Sequence, residues 1–160
     1  MSRGFFAIGA ESISKQMNLG NLMRSAHAFG ASFIFTVRAH YKIEGLASDT
    51  SQAGQNLPYY AWDKVDDMVF PENCQIVGIE LTNDAIALPS FRHPVRAAYI
   101  LGPERGDLSP EMMTRCDHIV KIPTSFCINV AMAGAIVMYD RLKSRGNFPA
   151  RPVHTGGAND

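Results

Sequence analysis

Apolar runs of strand length alternate with helical spacings along this chain. Gly4 to Gly9 (GFFAIG) reads as a buried strand and Ser12 to Met17 as a polar loop. From Asn18 to Phe29, Leu19, Leu22, Met23, Ala26 and Phe29 recur at helical intervals, with Asn18 suited to the amino cap and Gly30 to the end. Ser32 to Val37 (SFIFTV) is a second strand, so the chain opens with a parallel strand–helix–strand crossover. Arg38 to Pro58 lacks periodicity and is expected to form a long, partly helical excursion with a functional role. A short helix over Asp63 to Phe70, stopped by Pro71, leads to a third strand, Gln75 to Leu81, and its loop Thr82-Asn83-Asp84. Ala85 to Val95 is irregular. An apolar run from Ala97 to Leu101 then ends in Gly-Pro-Glu-Arg-Gly, and a short polar helix follows. A last strand, His118 to Ile122, is stopped by Pro123, and a tight loop enters a helix from Asn129 to Lys143 rich in Ala and Gly. The alternation predicts an α/β fold with an open, mostly parallel sheet, as one domain over 1–145 with a flexible tail over 146–160. The loops after the last two strands are expected to lie side by side and to carry the chemistry.

Composition narrows the function. The 160 residues are 46% hydrophobic, enough for a full core, and 15 basic residues balance 15 acidic ones. Zero net charge argues against a protein that coats nucleic acid non-specifically, because such binding scales with the phosphates neutralised. The charges are segregated, however. Between Ile43 and Ser90 Lys64 is the lone basic residue, whereas Arg92, Arg96, Arg105, Arg115, Lys121, Arg141, Lys143, Arg145 and Arg151 crowd the second half. That asymmetry favours an anionic partner on one face. Cys74, Cys116 and Cys127 are not at metal spacing, and the five histidines form no ligand set, so no metal site is expected. No run approaches transmembrane length, and the amino terminus is too short and too soon interrupted by Glu11 for a signal peptide. The expected location is the cytoplasm.

Three segments carry a resemblance. The first is Asn18-Leu-Gly20-Asn21-Leu-Met-Arg24-Ser-Ala26-His-Ala-Phe29-Gly30, and the second is Leu101-Gly102-Pro-Glu104-Arg-Gly106-Asp-Leu108-Ser109. The third joins Ile122-Pro123 to Ile128-Asn129-Val130-Ala131-Met-Ala133 and runs to Tyr139-Asp140. In this order and spacing, over roughly residues 5 to 143, they resemble the SPOUT class of methyltransferases, specifically the TrmH (SpoU) family of RNA ribose 2′-O-methyltransferases. The resemblance implies a carboxyl-terminal part threaded into a deep trefoil knot, a homodimer with the active site completed across its interface, and RNA as substrate; the small size of the chain alone favours tRNA over rRNA. It also implies S-adenosylmethionine as methyl donor, bent in the knot against Leu81 and Thr82, Gly102, and Ile122 with Cys127 and Ile128. The apolar residues suit an adenine slot, and glycine permits close approach of the main chain.

By the same resemblance Arg24 is the catalytic residue. Read alone it would be a solvated arginine on a helix. A guanidinium stays protonated in proteins, so stabilising a developing alkoxide and orienting an RNA phosphate suit it better than proton abstraction. Asn18 combines a helix-cap reading with placement of the RNA and the arginine. Glu104 is either a solvated turn residue or the acceptor that fixes neighbouring backbone, and Asn129 bonds the pocket loops. One departure stands out: the family's Ser two residues after the motif Asn is Ala131 here, and the loop from Pro123 to Asn129 is short. Thr124 or Ser125 could supply the missing hydroxyl. The departure keeps open an alternative, an RNA-binding module of the same fold with weakened catalysis. Tyr59, Tyr60 and Trp62 fit core or rim packing better than base stacking.

Overall fold

The computed structural model describes residues 4–40, 57–152 and 155–156; most of the excursion expected from Arg38 to Pro58 lies outside the described residues. One sheet contains β1 (Phe5–Glu11), β2 (Phe33–Val37), β3 (Tyr59–Trp62), β4 (Gln75–Ile79), β5 (Ile86–Ala87), β6 (Arg96–Leu101) and β7 (His118–Lys121). Their spatial order is β3-β2-β1-β6-β4-β7-β5, and every neighbouring pair is parallel. The described helices are α1 (Gln16–Ala28), α2 (Pro110–Arg115) and α3 (Val130–Arg145).

Alternation along the strands builds two apolar layers. Phe6, Ile8 and Ala10 of β1, with Ala97, Tyr99 and Leu101 of β6, face the layer that holds α1 and α3. Ala7, Ala98 and Ile100 face the opposite layer, with Val65, Met68 and Met112. Helices on both faces explain why the strands read as unbroken apolar runs.

Several elements depart from the sequence reading. Helix α1 starts at Gln16 with Lys15 in the cap position, so Asn18 lies in the first turn, buried, and is not the cap. The reason lies outside the segment: the Ser14 and Lys15 amides donate to Glu104, at 3.0 and 2.8 Å, a cap supplied from about ninety residues away. The helix expected over Asp63 to Phe70 is only a 3-10 turn, Val65–Asp67. Arg115 donates to the Val65 and Met68 carbonyls at 3.1 and 3.3 Å, so these oxygens have a partner without a further helical turn. Strand β3 escapes the apolar pattern because it is a four-residue edge strand that alternates little. Its Tyr60 and Trp62 rings stack 5.9 Å apart, and Trp62 packs on Phe35 and Phe70, so these aromatics do serve packing. Beyond Gly146 residues 147–152 have no regular structure.

Away from the carboxyl edge of the sheet, Arg141 is buried among polar partners. It donates to the Pro94, Val95 and Phe5 carbonyls and to the Tyr99 hydroxyl at 2.7–3.2 Å. Tyr99 in turn meets His93 Nδ1 at 2.6 Å, and His93 Nε2 meets Asp140 at 2.7 Å. Burial lowers the His93 pKa below its usual 6.5 despite Asp140. The network anchors the far end of α3 to the starts of β1 and β6.

At its middle α3 lies against α1 through Gly134. A methyl there would sit 2.5 Å from Leu22 Cδ1 and 3.1 Å from Leu101 Cδ1. A Gly134→Val substitution is expected to cost about 1–3 kcal/mol through overpacking, measured as a lower urea midpoint with an unchanged denaturant slope.

Candidate active site

The carboxyl ends of β6, β4 and β7 lie next to one another in that order, and their following loops surround a cavity of about 240 Å³. The two loops expected to lie side by side border one cavity but are separated by β4, whose own continuation, Glu80 and Leu81, forms the middle of the wall. The β6 loop contributes Gly102 to Glu104, Gly106 and Asp107, and the β7 loop contributes Ile122, Thr124, Cys127 and Ile128. Val130 and Ala133 of α3 close one side.

Five of the six residues expected to hold the cofactor line this cavity: Leu81, Gly102, Ile122, Cys127 and Ile128. Thr82 does not. Its carbonyl, with that of Asn83, accepts from Lys121 Nζ at 3.2 and 3.3 Å, which holds the loop after β4 against β7. The walls suit a nucleoside: Ile79, Leu81, Leu101 and Ile122 are apolar, and Gly102 leaves the main chain bare where a side chain would stand 3.4 Å from the Leu108 nitrogen.

Three carboxylates from three elements fix the β6 loop. Glu104, within it, accepts from the Ser14 and Lys15 amides, the Ser14 hydroxyl and Asn18 Nδ2. Burial alone would raise its pKa. The hydrogen bonds from its own and the Ser14 and Lys15 amides and from Asn18 outweigh that and bring it down from 4.5 to about 2. Glu11, buried at the end of β1, accepts from the Ser109 amide at 2.7 Å and its hydroxyl at 2.6 Å, while that same hydroxyl oxygen caps α2 through Met112. Glu80 Oε2 accepts from the Leu108 amide at 2.8 Å. Gly106, at φ +103°, makes the turn between these anchors in a backbone region that favours glycine.

Asn18, Glu104 and Asn129 form one chain of bonds. The Asn18 amide donates to Glu104 at 3.2 Å, and its oxygen accepts from Asn129 Nδ2 at 3.0 Å. Asn129 caps α3 by accepting from the Ala131 and Met132 amides at 2.9 and 3.2 Å. Three of the four residues expected to be catalytic thus meet. Arg24 does not: it is exposed on α1, makes no hydrogen bond or ion pair among the described residues, and does not line the cavity of its own chain. In the short β7 loop Thr124 Oγ1 donates to the Phe126 carbonyl at 2.8 Å, so this hydroxyl braces the loop.

Several cations of the basic second half also have partners within the fold. Arg96, Arg115, Lys121, Arg141 and Arg145 all donate to backbone carbonyls. Sequence reading also passed over Glu80, Glu11 and Ser14. A glutamate closing the apolar run Gln75 to Leu81 was the available signal for the first; the other two acquire their roles only through contacts 90 or more residues away.

Among the described residues no helix is long and apolar enough to cross a membrane, and no group of three His, Cys, Asp or Glu could hold a metal ion.

A parallel sheet with a nucleoside-sized cavity formed by three consecutive carboxyl-edge loops defines an α/β protein of the cofactor-binding kind. Residues 6–139 match the SpoU rRNA Methylase family, and the chain belongs to it. It is 25% identical over 146 residues to the mitochondrial rRNA methyltransferase 1 of Schizosaccharomyces pombe, covering 81% of this chain and 48% of that protein. It is 26% identical over 140 residues to the mouse (Mus musculus) tRNA (guanosine(18)-2′-O)-methyltransferase TARBP1, covering 82% of this chain and 9% of that protein. The chain therefore spans about half of the first relative and a small part of the second. Among solved structures, the SpoU methyltransferase AviRb of Streptomyces viridochromogenes in complex with S-adenosylmethionine superposes with a TM-score of 0.77 at 22% identity, covering 91% of this chain and 59% of that one. The sheet and flanking helices match the fold of that protein.

Because the Glu104 pKa is depressed on folding, its contribution to stability is present above the unfolded value of 4.5 and is lost as pH falls towards about 2. Glu104→Gln is expected to lower the thermal midpoint at pH 7, with the gap from the parent narrowing steadily between pH 5 and pH 3. A gap independent of pH would show that the carboxylate charge is not what holds α1 to the β6 loop.

Proposed function

We propose that this chain is an S-adenosylmethionine-dependent RNA methyltransferase that modifies a ribose 2′-hydroxyl. The observation that carries the reading is the cavity between the β4, β6 and β7 loops, lined by Leu81, Gly102, Ile122, Cys127 and Ile128, in a chain of the SpoU family. The name of the mouse relative specifies 2′-O methylation, which supports the ribose as target. The relatives divide between rRNA and tRNA, and tRNA is the substrate we favour. We further propose that the carboxyl-terminal part is threaded as a trefoil knot. The insertion of β6 between β1 and β4, with β7 beyond, supports this path.

When bound, S-adenosylmethionine supplies a methyl group on a positively charged sulfur. Gly102 and the loop backbones would hold the nucleoside, while Leu81, Leu101 and Ile122 would exclude water from it. Arg24 faces the incoming ribose and its phosphate. Its guanidinium keeps its proton, so it stabilises negative charge as it grows on the 2′-oxygen. Asn18, Glu104 and Asn129 act as positioning residues that set α1 against the pocket loops.

Arg24 is exposed on α1 and does not line the cavity of its own chain, and this favours a homodimer. Met132, Ile136 and Tyr139 leave an apolar stripe on α3, 62%, 40% and 55% exposed, on the helix that packs against α1. A second copy docked on this stripe would bring its own Arg24 to the neighbouring cavity. A second reading, an RNA-binding module with weakened catalysis, is favoured by Ala131, whose methyl replaces the family serine beside the Asn129 cap.

The test is incubation with methyl-labelled S-adenosylmethionine and separate pools of unmodified tRNA and rRNA, followed by alkaline hydrolysis. Label is expected in alkali-resistant dinucleotides, because a methylated 2′-oxygen cannot attack its phosphate. Arg24→Ala and Arg24→Lys should each reduce turnover by roughly 10²–10³-fold, the scale of a lost oxyanion partner. Label on a base would overturn the ribose assignment. An Arg24→Lys variant with nearly full turnover would remove Arg24 from the chemistry. RNA binding without any transfer would favour the module.

A further inference from the structure

We infer that Glu80 makes the cavity selective for the positively charged methyl donor over the neutral thioether that remains after transfer. The inference rests on the cofactor reading above and adds a specificity-determining residue to it. Methyl transfer leaves the electron pair of the broken C–S bond on sulfur, so the ligand loses one positive charge while its nucleoside and amino-acid parts stay the same. A cavity that recognised only those parts would hold donor and product equally well.

The lining of this cavity is not electrically neutral. Among the described residues it contains Glu80, Glu104 and Asp107 and no Lys, Arg or His. The three differ in what they can offer a ligand. Glu104 is committed to Ser14, Lys15 and Asn18 by four donors. Asp107 is exposed, where water screens its charge. Glu80 is half-buried at the carboxyl end of β4, in the middle of the three loops. Its two oxygens accept one backbone amide each, Leu81 at 3.0 Å and Leu108 at 2.8 Å. Neither donor carries a formal charge, so the carboxylate keeps its own while its orientation is locked. A fixed anion beside the apolar Ile79, Leu81, Leu101 and Ile122 acts at a lower effective dielectric than one in water, so a unit charge a few ångströms away is worth a large factor in affinity. Both donors come from loops that border the cavity, so the charge cannot swing away from it without loosening them.

Isothermal titration of the full chain with S-adenosylmethionine and, separately, S-adenosylhomocysteine tests the inference without RNA or turnover. The parent protein should bind the sulfonium on the order of ten-fold more tightly than the thioether. That ratio should shrink as salt is raised. Glu80→Gln should bring the ratio close to one. Since the amide nitrogen must oppose one of the Leu81 and Leu108 amides while the oxygen accepts from the other, the variant weakens both ligands to some degree, and the ratio is the readout that general loosening leaves unmoved. Equal affinity of the parent for the two ligands, or a ratio unchanged in Glu80→Gln, overturns the role of Glu80 and leaves the cofactor site standing. Failure of both ligands to bind the parent overturns the cofactor reading itself.

Discussion

The Glu104 carboxylate is the contact on which the site depends. It sits in a glycine-bounded loop at the end of β6, yet its partners are the last residues before α1 and the first turn of that helix. One ionised group therefore does two tasks. It satisfies amides at the start of α1 that no local side chain caps, and it fastens that start to the cavity wall. Glu104 binds through its charge, and a neutral residue of the same shape could accept only weaker bonds. The low pKa is the signature of that arrangement.

From this contact order spreads along a covalent and hydrogen-bonded path. Asn18 passes the constraint to Asn129, and Asn129 caps α3. The starts of α1 and α3, both on the same face of the sheet, are thus set by a single chain of side chains, while Gly134 lets their middles approach. The opposite end of α3 is held separately by Arg141 and the Tyr99–His93–Asp140 series. With both ends anchored, the exposed side of α3 offers a rigid apolar stripe, and a rigid surface loses little entropy when another surface covers it. Stiff loops round the cavity and a stiff helix pair beside it are consequences of the same few buried polar groups.

What the sequence disclosed follows the range of the forces involved. β1, β2, β4 and β6 were legible because burial on both faces leaves continuous apolar runs. The start of the last helix at Asn129 was legible too, although its role as the cap, bonding amides two and three residues on, was not read from the sequence. Leu81, Gly102, Ile122, Cys127 and Ile128 were placed by resemblance, and the structure gathers them round one cavity. The start of α1 was misplaced because its cap comes from Glu104, which no local rule detects. The turn at Val65 was overextended for a related reason, since Arg115 takes up carbonyls a longer helix would have used. The position of β4 between β6 and β7 is a fact of topology, and local patterns carry no information about it. It brought Glu80 into a wall where only its neighbours had been expected.

The cations of the basic second half of the chain also serve the fold. Five of its nine cations donate to main-chain carbonyls, where they knit strand ends and helix ends together. Among the described residues Arg24, Arg92, Arg105, Lys143 and Arg151 make no such bonds. The 15 basic residues are matched by 15 acidic ones, so a polyanion gains little from net charge. In the proposed function, affinity for RNA therefore rests on shape and on where individual cations are placed. Under that constraint the rigidity of α1 matters more than its charge, because a lone guanidinium contributes to recognition only if it is held where the phosphate arrives. The carboxylate at Glu104, though it touches no RNA in this reading, is what holds the base of that helix in place.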